Sequence, residues 1–251
     1  MKQTRIVFLF LVIGILPLST LHADFVGINI GASQWSPNLS GSFNSNDNGT
    51  SIDLIDDLGI DDNGSPSSLV LILEHPIKAL PNIKYQGFNL DSSGSRTLNN
   101  NLDFNGQTFN SGNRVRTSFD LSHDDIVLYY QLLDNWVNLD MGIDVKRFDG
   151  EVELSGDTSS RLAIDETIPL LYLSARFDLP YDGFYIGANF NSLSLGDNIV
   201  EDSTIKLGYE TNFGIGFEGG IKSFSLELDN ADNLDTDLKY DGIFLNGFYH
   251  F

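Results

Sequence analysis

No cysteine occurs among the 251 residues. That absence removes disulfides, thiolate nucleophiles and Cys-ligated metals, so an exported form would depend on its core or on sheet closure for stability. Basic residues are scarce: 14 Lys and Arg stand against 35 Asp and Glu, for a formal net charge of -21. Nucleic acid is excluded as a partner, because phosphate neutralisation needs clustered Lys and Arg. Docking on an anionic lipid surface through charge is excluded for the same reason, whereas binding of divalent cations is compatible. Long apolar runs are also missing. The longest, Ile6 to Leu16, falls short of the roughly 20 residues that span a bilayer as a helix.

That run has another meaning. Lys2 and Arg5 precede it, Pro17 breaks it, and Ser19 to Ala23 ends on a small residue. This is the three-part layout of a secretory signal peptide. Cleavage is expected after Ala23, although Leu21 is larger than the residue favoured three positions before a cut. Residues 1–23 are therefore read as a leader and 24–251 as one domain, a length that suits a single all-β unit.

What the mature chain does have is period two. Val137, Leu139, Met141, Ile143 and Val145 share one face, and Asn138, Asp140, Gly142, Asp144 and Lys146 the other. Strict alternation marks a strand between two unlike environments. Val26, Ile28, Ile30 and Ala32 alternate likewise with Gly27, Asn29, Gly31 and Ser33. So do Val115, Thr117, Phe119 and Leu121 with Arg114, Arg116, Ser118 and Asp120. The pattern returns around Leu171–Asp178, Phe184–Asn191, Ile205–Glu210 and Phe213–Lys222. The face opposite the apolar one is rich in Gly and in charges of both signs. Gly weakens a strand, but it relieves crowding inside a narrow barrel. The reading is a single transmembrane antiparallel β-barrel, all-β, with apolar side chains toward lipid and the other face toward the lumen.

Links alternate between short (77–81, 134–135, 180–183, 211–212) and long (37–66, 92–112, 155–163, 196–202, 229–236), the layout of outer-membrane barrels with short periplasmic turns. Threading gives ten strands, at 24–36, 67–76, 82–91, 113–133, 136–154, 164–178, 184–195, 203–211, 213–228 and 236–251, with eight or twelve as alternatives. In the fourth span the apolar parity switches near Ser122–Asp125, which suggests a bulge or an extra turn. Trp35, Tyr85, Tyr129, Tyr130, Trp136, Phe177, Tyr181 and Phe184 fall near strand ends, as interfacial aromatic girdles do. The chain closes on Tyr249 and Phe251, an aromatic ending on an alternating strand that resembles the C-terminal signal read by the barrel-assembly machinery.

Asp57-Leu58-Gly59-Ile60-Asp61-Asp62, Glu74-His75-Pro76 with Leu80-Pro81-Asn82, Leu133-Asp134-Asn135-Trp136-Val137, Phe148-Asp149-Gly150, Gly208-Tyr209-Glu210 and the closing His250-Phe251 carry a resemblance. Across nearly the whole mature chain, the sequence resembles the uncharacterised outer-membrane β-barrel proteins that co-occur with the GlyGly-CTERM sorting system. The resemblance implies one barrel and brings no activity, ligand or site residue.

Chemistry has few candidates. His75, His123 and His250 are the only histidines after the leader, and His123-Asp124-Asp125 is the best local acid–base pair for a hydrolase. The expectation is nonetheless a non-enzymatic barrel, with an envelope-structural or surface-interaction role carried by its loops, and a narrow solute channel as the alternative. Asp53, Asp56, Asp57, Asp61 and Asp62 in the first loop, and Asp229, Asp232, Asp235 and Asp237 in the last, are candidates for Ca²⁺ or for Mg²⁺ shared with lipopolysaccharide. No other cofactor is expected. Ile52, Leu54, Ile55, Leu58 and Ile60 interleave with the first set, as in a short amphipathic helix over the barrel mouth or a loop folded onto the rim. Arg114, Arg116, Asp140, Asp144, Lys146, Arg176, Asp178, Lys206, Glu210, Glu218 and Lys222 should face the lumen, paired because an unpaired buried charge is costly. Outer-membrane lipid and lipopolysaccharide are the expected surroundings.

Overall fold

A computed structural model describes residues 26–44, 51–60, 66–196, 198–231 and 234–251, and among these the chain is strand throughout, without a helix. The leader, Asp61, Asp62 and Asp232 lie outside the described residues. In chain order the strands are β1 (Gly27–Asn44), β2 (Ile52–Asp53), β3 (Ser67–Glu74), β4 (Asn82–Asn89), β5 (Asp91–Thr97), β6 (Leu102–Phe104), β7 (Gln107–Phe109), β8 (Arg114–Asp120) and β9 (His123–Asp134). They continue as β10 (Val137–Phe148), β11 (Gly150–Ser155), β12 (Ser159–Ile164), β13 (Thr167–Asp178), β14 (Phe184–Leu195), β15 (Asn198–Glu210), β16 (Ile215–Ala231) and β17 (Leu234–His250).

Ten of them close a ring. The order β17-β16-β15-β14-β13-β10-β9-β4-β3-β1 is antiparallel throughout, and β1 pairs back onto β17 from Asn29 opposite His250 to Asn44 opposite Asp235. Closure leaves no strand edge exposed in this part of the molecule. The four short links all fall at one end, beside both termini of the barrel. The long ones fall at the other.

At the long-loop end the wall divides. β1, β15, β16 and β17 run on as continuous strands, whereas β4, β9, β10 and β13 each crease and continue as β5, β8, β11 and β12, a separate four-stranded sheet of order β12-β11-β8-β5. The expected long loops at 92–112 and 155–163 are thus largely folded, and the links at 196–202 and 229–236 are far shorter than the sequence suggested. The β6–β7 hairpin lies over the free edge of β12, where the Asn105 side-chain amide donates to the Arg161 carbonyl at 2.9 Å.

The outward side chains of the barrel near the short-turn end are apolar, including Leu69 (66% exposed), Ile205 (62%) and Leu245 (70%). At about 3.4 Å per residue and a tilt near 40°, the belt from Phe213 to Ile221 stands roughly 20 Å tall, close to the ~25 Å band of membrane barrels. A continuous apolar belt of this size is a lipid-facing surface, since monomers in water expose far smaller patches. Tyr85, Tyr130, Trp136, Phe177, Tyr181 and Phe184 stand on it, exposed as expected. Trp35 and Tyr129 do not: both point inward and are 2% and 3% exposed.

Above the belt the pattern inverts. β16 turns Ser223, Ser225 and Glu227 outward and Phe224, Leu226 and Leu228 inward. Its neighbour β17 turns Asp241 and Lys239 outward and Tyr240 and Leu238 inward. The same inversion explains the parity switch near Ser122. Val115, Phe119, Leu121, His123, Asp125, Val127 and Tyr129 are all inward and all odd-numbered, so no residue is inserted there. What changes at Ser122 is the solvent outside, from water to lipid, and with it the side on which apolar residues belong. The register shift in this region lies instead between Leu139 and Asp140, opposite Leu133 and Gln131.

Arg114 and Arg116 are therefore corrected: they sit on the outer, exposed face of β8 and not in the lumen. Their apolar partners Val115 and Phe119, which alternation alone assigned to lipid, face inward because this sheet stands in water.

Candidate functional site

The inward apolar residues of the upper half meet in one core. Phe43 packs edge-on against Phe104 and stacked against Phe119, at 5.8 and 6.2 Å between ring centroids. Ile52, Leu54, Leu58 and Ile60 from the first loop, and Leu102, Phe104 and Phe109 from the β6–β7 hairpin, fill the space between the continuous strands and the four-stranded sheet. The first-loop stretch is one hydrogen-bonded turn rather than the amphipathic helix considered above. Asp53 Oδ1 accepts from the N–H groups of Ile55 and Asp56, and Asp57 Oδ2 accepts from the N–H of Asp53. Two of the candidate cation ligands thus hold their own turn. Asp56, Asp229 and Asp237 are exposed, and Asp235 is partly buried. Among the described residues no three or more His, Asp or Glu side chains are grouped to hold a metal ion.

This core closes the barrel mouth. Its floor is a layer of rings: His123 stacks on Phe88 at 4.9 Å and lies against Phe148 and Phe224 at 5.1 and 5.9 Å. Beneath, Lys222 Nζ is 4.6 Å from the Phe88 ring and 5.6 Å from that of Trp35, and Lys146 Nζ is 5.7 Å from Phe224. Cations under ring faces join the dry half to the charged half, where such contacts gain from desolvation.

Below the floor the lumen is ionic. Lys146, fully buried, bonds both oxygens of Asp125 at 2.7 and 2.8 Å and lies 3.8 Å from Asp202. Lys222 bonds Asp202 at 2.5 Å. Lower down, Glu218 receives Lys206 at 2.7 Å, the Tyr185 hydroxyl at 2.7 Å and the Asn246 amide at 2.9 Å. At the short-turn end Arg176 bonds Asp178 at 2.9 Å and Glu210 at 3.5 Å, and Glu210 also lies 3.0 Å from His250 Nδ1. Nine of the eleven expected lumen charges therefore face inward, and most of them pair. Asp125, Asp202, Glu74 and Lys84 belong to the same interior but escaped sequence reasoning. Asp125 and Asp202 sit where alternation is blurred by the change of solvent, and each is found once the inward parity of its strand is extended.

Glycine makes room for this interior. A β-carbon on Gly208 would fall within the ring of Tyr185, and one on Gly216 within the ring of Phe248.

The structure does not bring His123, Asp124 and Asp125 together as an acid–base pair. Asp124 points outward and accepts from the Tyr85 hydroxyl at 2.6 Å, while Asp125 points inward to Lys146, as consecutive strand residues must. His123 Nδ1 lies 2.8 Å from the Leu121 carbonyl. His75 organises its turn: Nδ1 accepts from the Ile77 N–H at 3.2 Å and Nε2 lies 3.1 Å from the Pro81 carbonyl. Tyr249 and Phe251 meet edge to face at 4.4 Å on the outer wall.

No protein-family model and no curated protein sequence matches the chain. Solved structures of outer-membrane proteins align over most of the chain at low identity. The outer-membrane protease OmpT from Escherichia coli is 14% identical with a TM-score of 0.47, over 90% of this chain and 97% of that one. Ail, the attachment invasion locus protein of Yersinia pestis solved with the heparin analogue sucrose octasulfate, is 10% identical with a TM-score of 0.35, over 90% and 99%. A Pseudomonas aeruginosa FadL homologue is 8% identical with a TM-score of 0.34, over 90% of each chain. These similarities assign no activity.

Proposed function

We propose that this chain is a non-enzymatic barrel of the bacterial outer membrane, closed to through-flow, that holds a folded sheet outside the cell for surface interaction or envelope integrity. The observation that carries the reading is the apolar core across the mouth, from Trp35 at its floor to Phe104, which is wholly buried. A conduit needs a wet path, and this one ends on stacked rings. Residues 1–23 would direct export, the assembly machinery would read Tyr249 and Phe251, and the belt would lie among outer-membrane lipid and lipopolysaccharide. Divalent cations would be shared with lipopolysaccharide phosphates at exposed Asp56, Asp229 and Asp237 rather than caged.

Planar-bilayer recording of the refolded mature chain tests it. The expected trace has no steady conductance steps. Steady, ion-selective steps would replace this reading with the narrow channel.

A further inference from the structure

Beneath the ring floor the lumen is a cup of about 520 Å³, reaching from Trp35 and Phe88 down to His250 and Asp134 at the short-turn end. Its size suits a small molecule. Seven carboxylates line it against four Lys and Arg side chains, so it retains a formal negative charge.

Its free hydrogen-bonding capacity is mostly that of acceptors. The four cations are engaged: Lys222 with Asp202, Lys206 with Glu218, Arg176 with Asp178 and Glu210, and Lys84 over the Tyr172 ring at 5.7 Å. Four of the five buried lining atoms without a partner are oxygens, Asn138 Oδ1, Asp140 Oδ1, Asn191 Oδ1 and Asn246 Oδ1, and the fifth is a donor, Trp35 Nε1, at the upper end beneath the ring floor. Two of these orientations are fixed by chemistry. Asn191 Nδ2 donates to Asp144 at 3.0 Å and Asn246 Nδ2 donates to Glu218 at 2.9 Å, and a carboxylate only accepts. Asn191 is itself 8% exposed, and Asp144 behind it is wholly buried with a second oxygen unpartnered.

A ligand matched to the lining below Trp35 mainly donates hydrogen bonds and carries positive charge. Phosphates and carboxylates fail on charge. Among the described residues no three or more His, Asp or Glu side chains are grouped to hold a metal ion there. Register gives the spacing. Asp140 pairs across β10–β13–β14 with Ser174 and Asn189, and Asn191 stands one inward step deeper, beside Tyr172. That step is about 7 Å along the strand, and the two residues also lie two strands, about 10 Å, apart along the wall, so a ligand that reaches both is an extended chain rather than a compact amine. Tyr129 and Tyr172, 5.7 Å apart, line the same space and offer ring faces to methylenes and ammonium groups.

We propose that the cup binds a linear aliphatic polyamine entering from the short-turn side. The site lies below the plug and the extracellular sheet above it, so either reading can fail without the other.

Titration calorimetry of the refolded mature chain in zwitterionic micelles, with spermidine as probe, tests this. Saturable binding to a single site is expected. Asp140→Asn should weaken it about tenfold, and Gln131→Lys, at an exposed lumen position, should abolish it by repulsion. Migration of the unboiled protein on a gel checks that each variant is folded, and Gln131→Lys serves if Asp140→Asn is not. Absence of saturable heat, or equal affinity in the folded variants, would overturn the proposal and assign any binding to surface acids.

Discussion

The half of the barrel inside the lipid belt and the half above it are built from the same alternation with opposite contents. Below, Ile205, Leu207, Ile221 and Ile243 face out and Lys146, Asp202, Glu218 and Lys222 face in. Above, Glu227, Lys239 and Asp241 face out and Phe43, Phe119, Leu154 and Leu238 face in. The backbone ladder is continuous through β1, β15, β16 and β17, so pairing alone does not distinguish the halves. Solvent does. Lipid takes the apolar face below and leaves charges to pair inside, whereas water above drives apolar side chains into a common core.

The sharpest test removes a charge from the lower interior. Lys146→Ala should cost about 3–5 kcal/mol, because it strands Asp125 without its partner and leaves Asp202 with Lys222 alone. Urea unfolding in lipid vesicles would measure it, and a loss below 1 kcal/mol would mean the lumen is wet enough to solvate them. An effect of like size but different kind is expected above. Phe104→Ala should cost roughly 3–5 kcal/mol of local stability, seen as faster proteolysis of residues 91–164, while the unboiled protein still migrates as an intact barrel.

Next comes the outer wall. Ile205→Lys, within the belt, should cost about 2–4 kcal/mol, whereas Ser225→Lys, outward on β16 above the belt, should stay within about 0.5 kcal/mol. Equal costs at the two positions would erase the proposed boundary. Gly216→Ala should cost roughly 1–3 kcal/mol by overpacking against Phe248, readable as a lower unfolding midpoint. The smallest effect is at Arg116. Arg116→Ala should change stability by less than about 0.5 kcal/mol, because the residue is outside. A large loss would restore it to the lumen.

Much of this was legible beforehand. Ten strands, their closure and the grouping of short links at one end follow from period two and turn residues. So does the inward placement of Asp140, Asp144, Lys146, Arg176, Asp178, Lys206, Glu210, Glu218 and Lys222, because all lie within the belt or at its lower rim, where the rule of apolar outside holds. Arg114, Arg116, Trp35 and Tyr129 were misplaced where that rule stops or where an aromatic was assumed to mark an interface. The plug was hidden because its members come from stretches far apart, Ile52–Ile60, Leu102–Phe109 and the upper ends of the strands.

The sequence by itself determined that every second side chain differs from its neighbour, and therefore that the chain forms strands closed around an interior. Only the tertiary structure decided which of the two faces is inside at each height. Alternation has the same period beside oil and beside water, and the sign of the burial energy is set by what lies across the wall, which no local stretch of chain records.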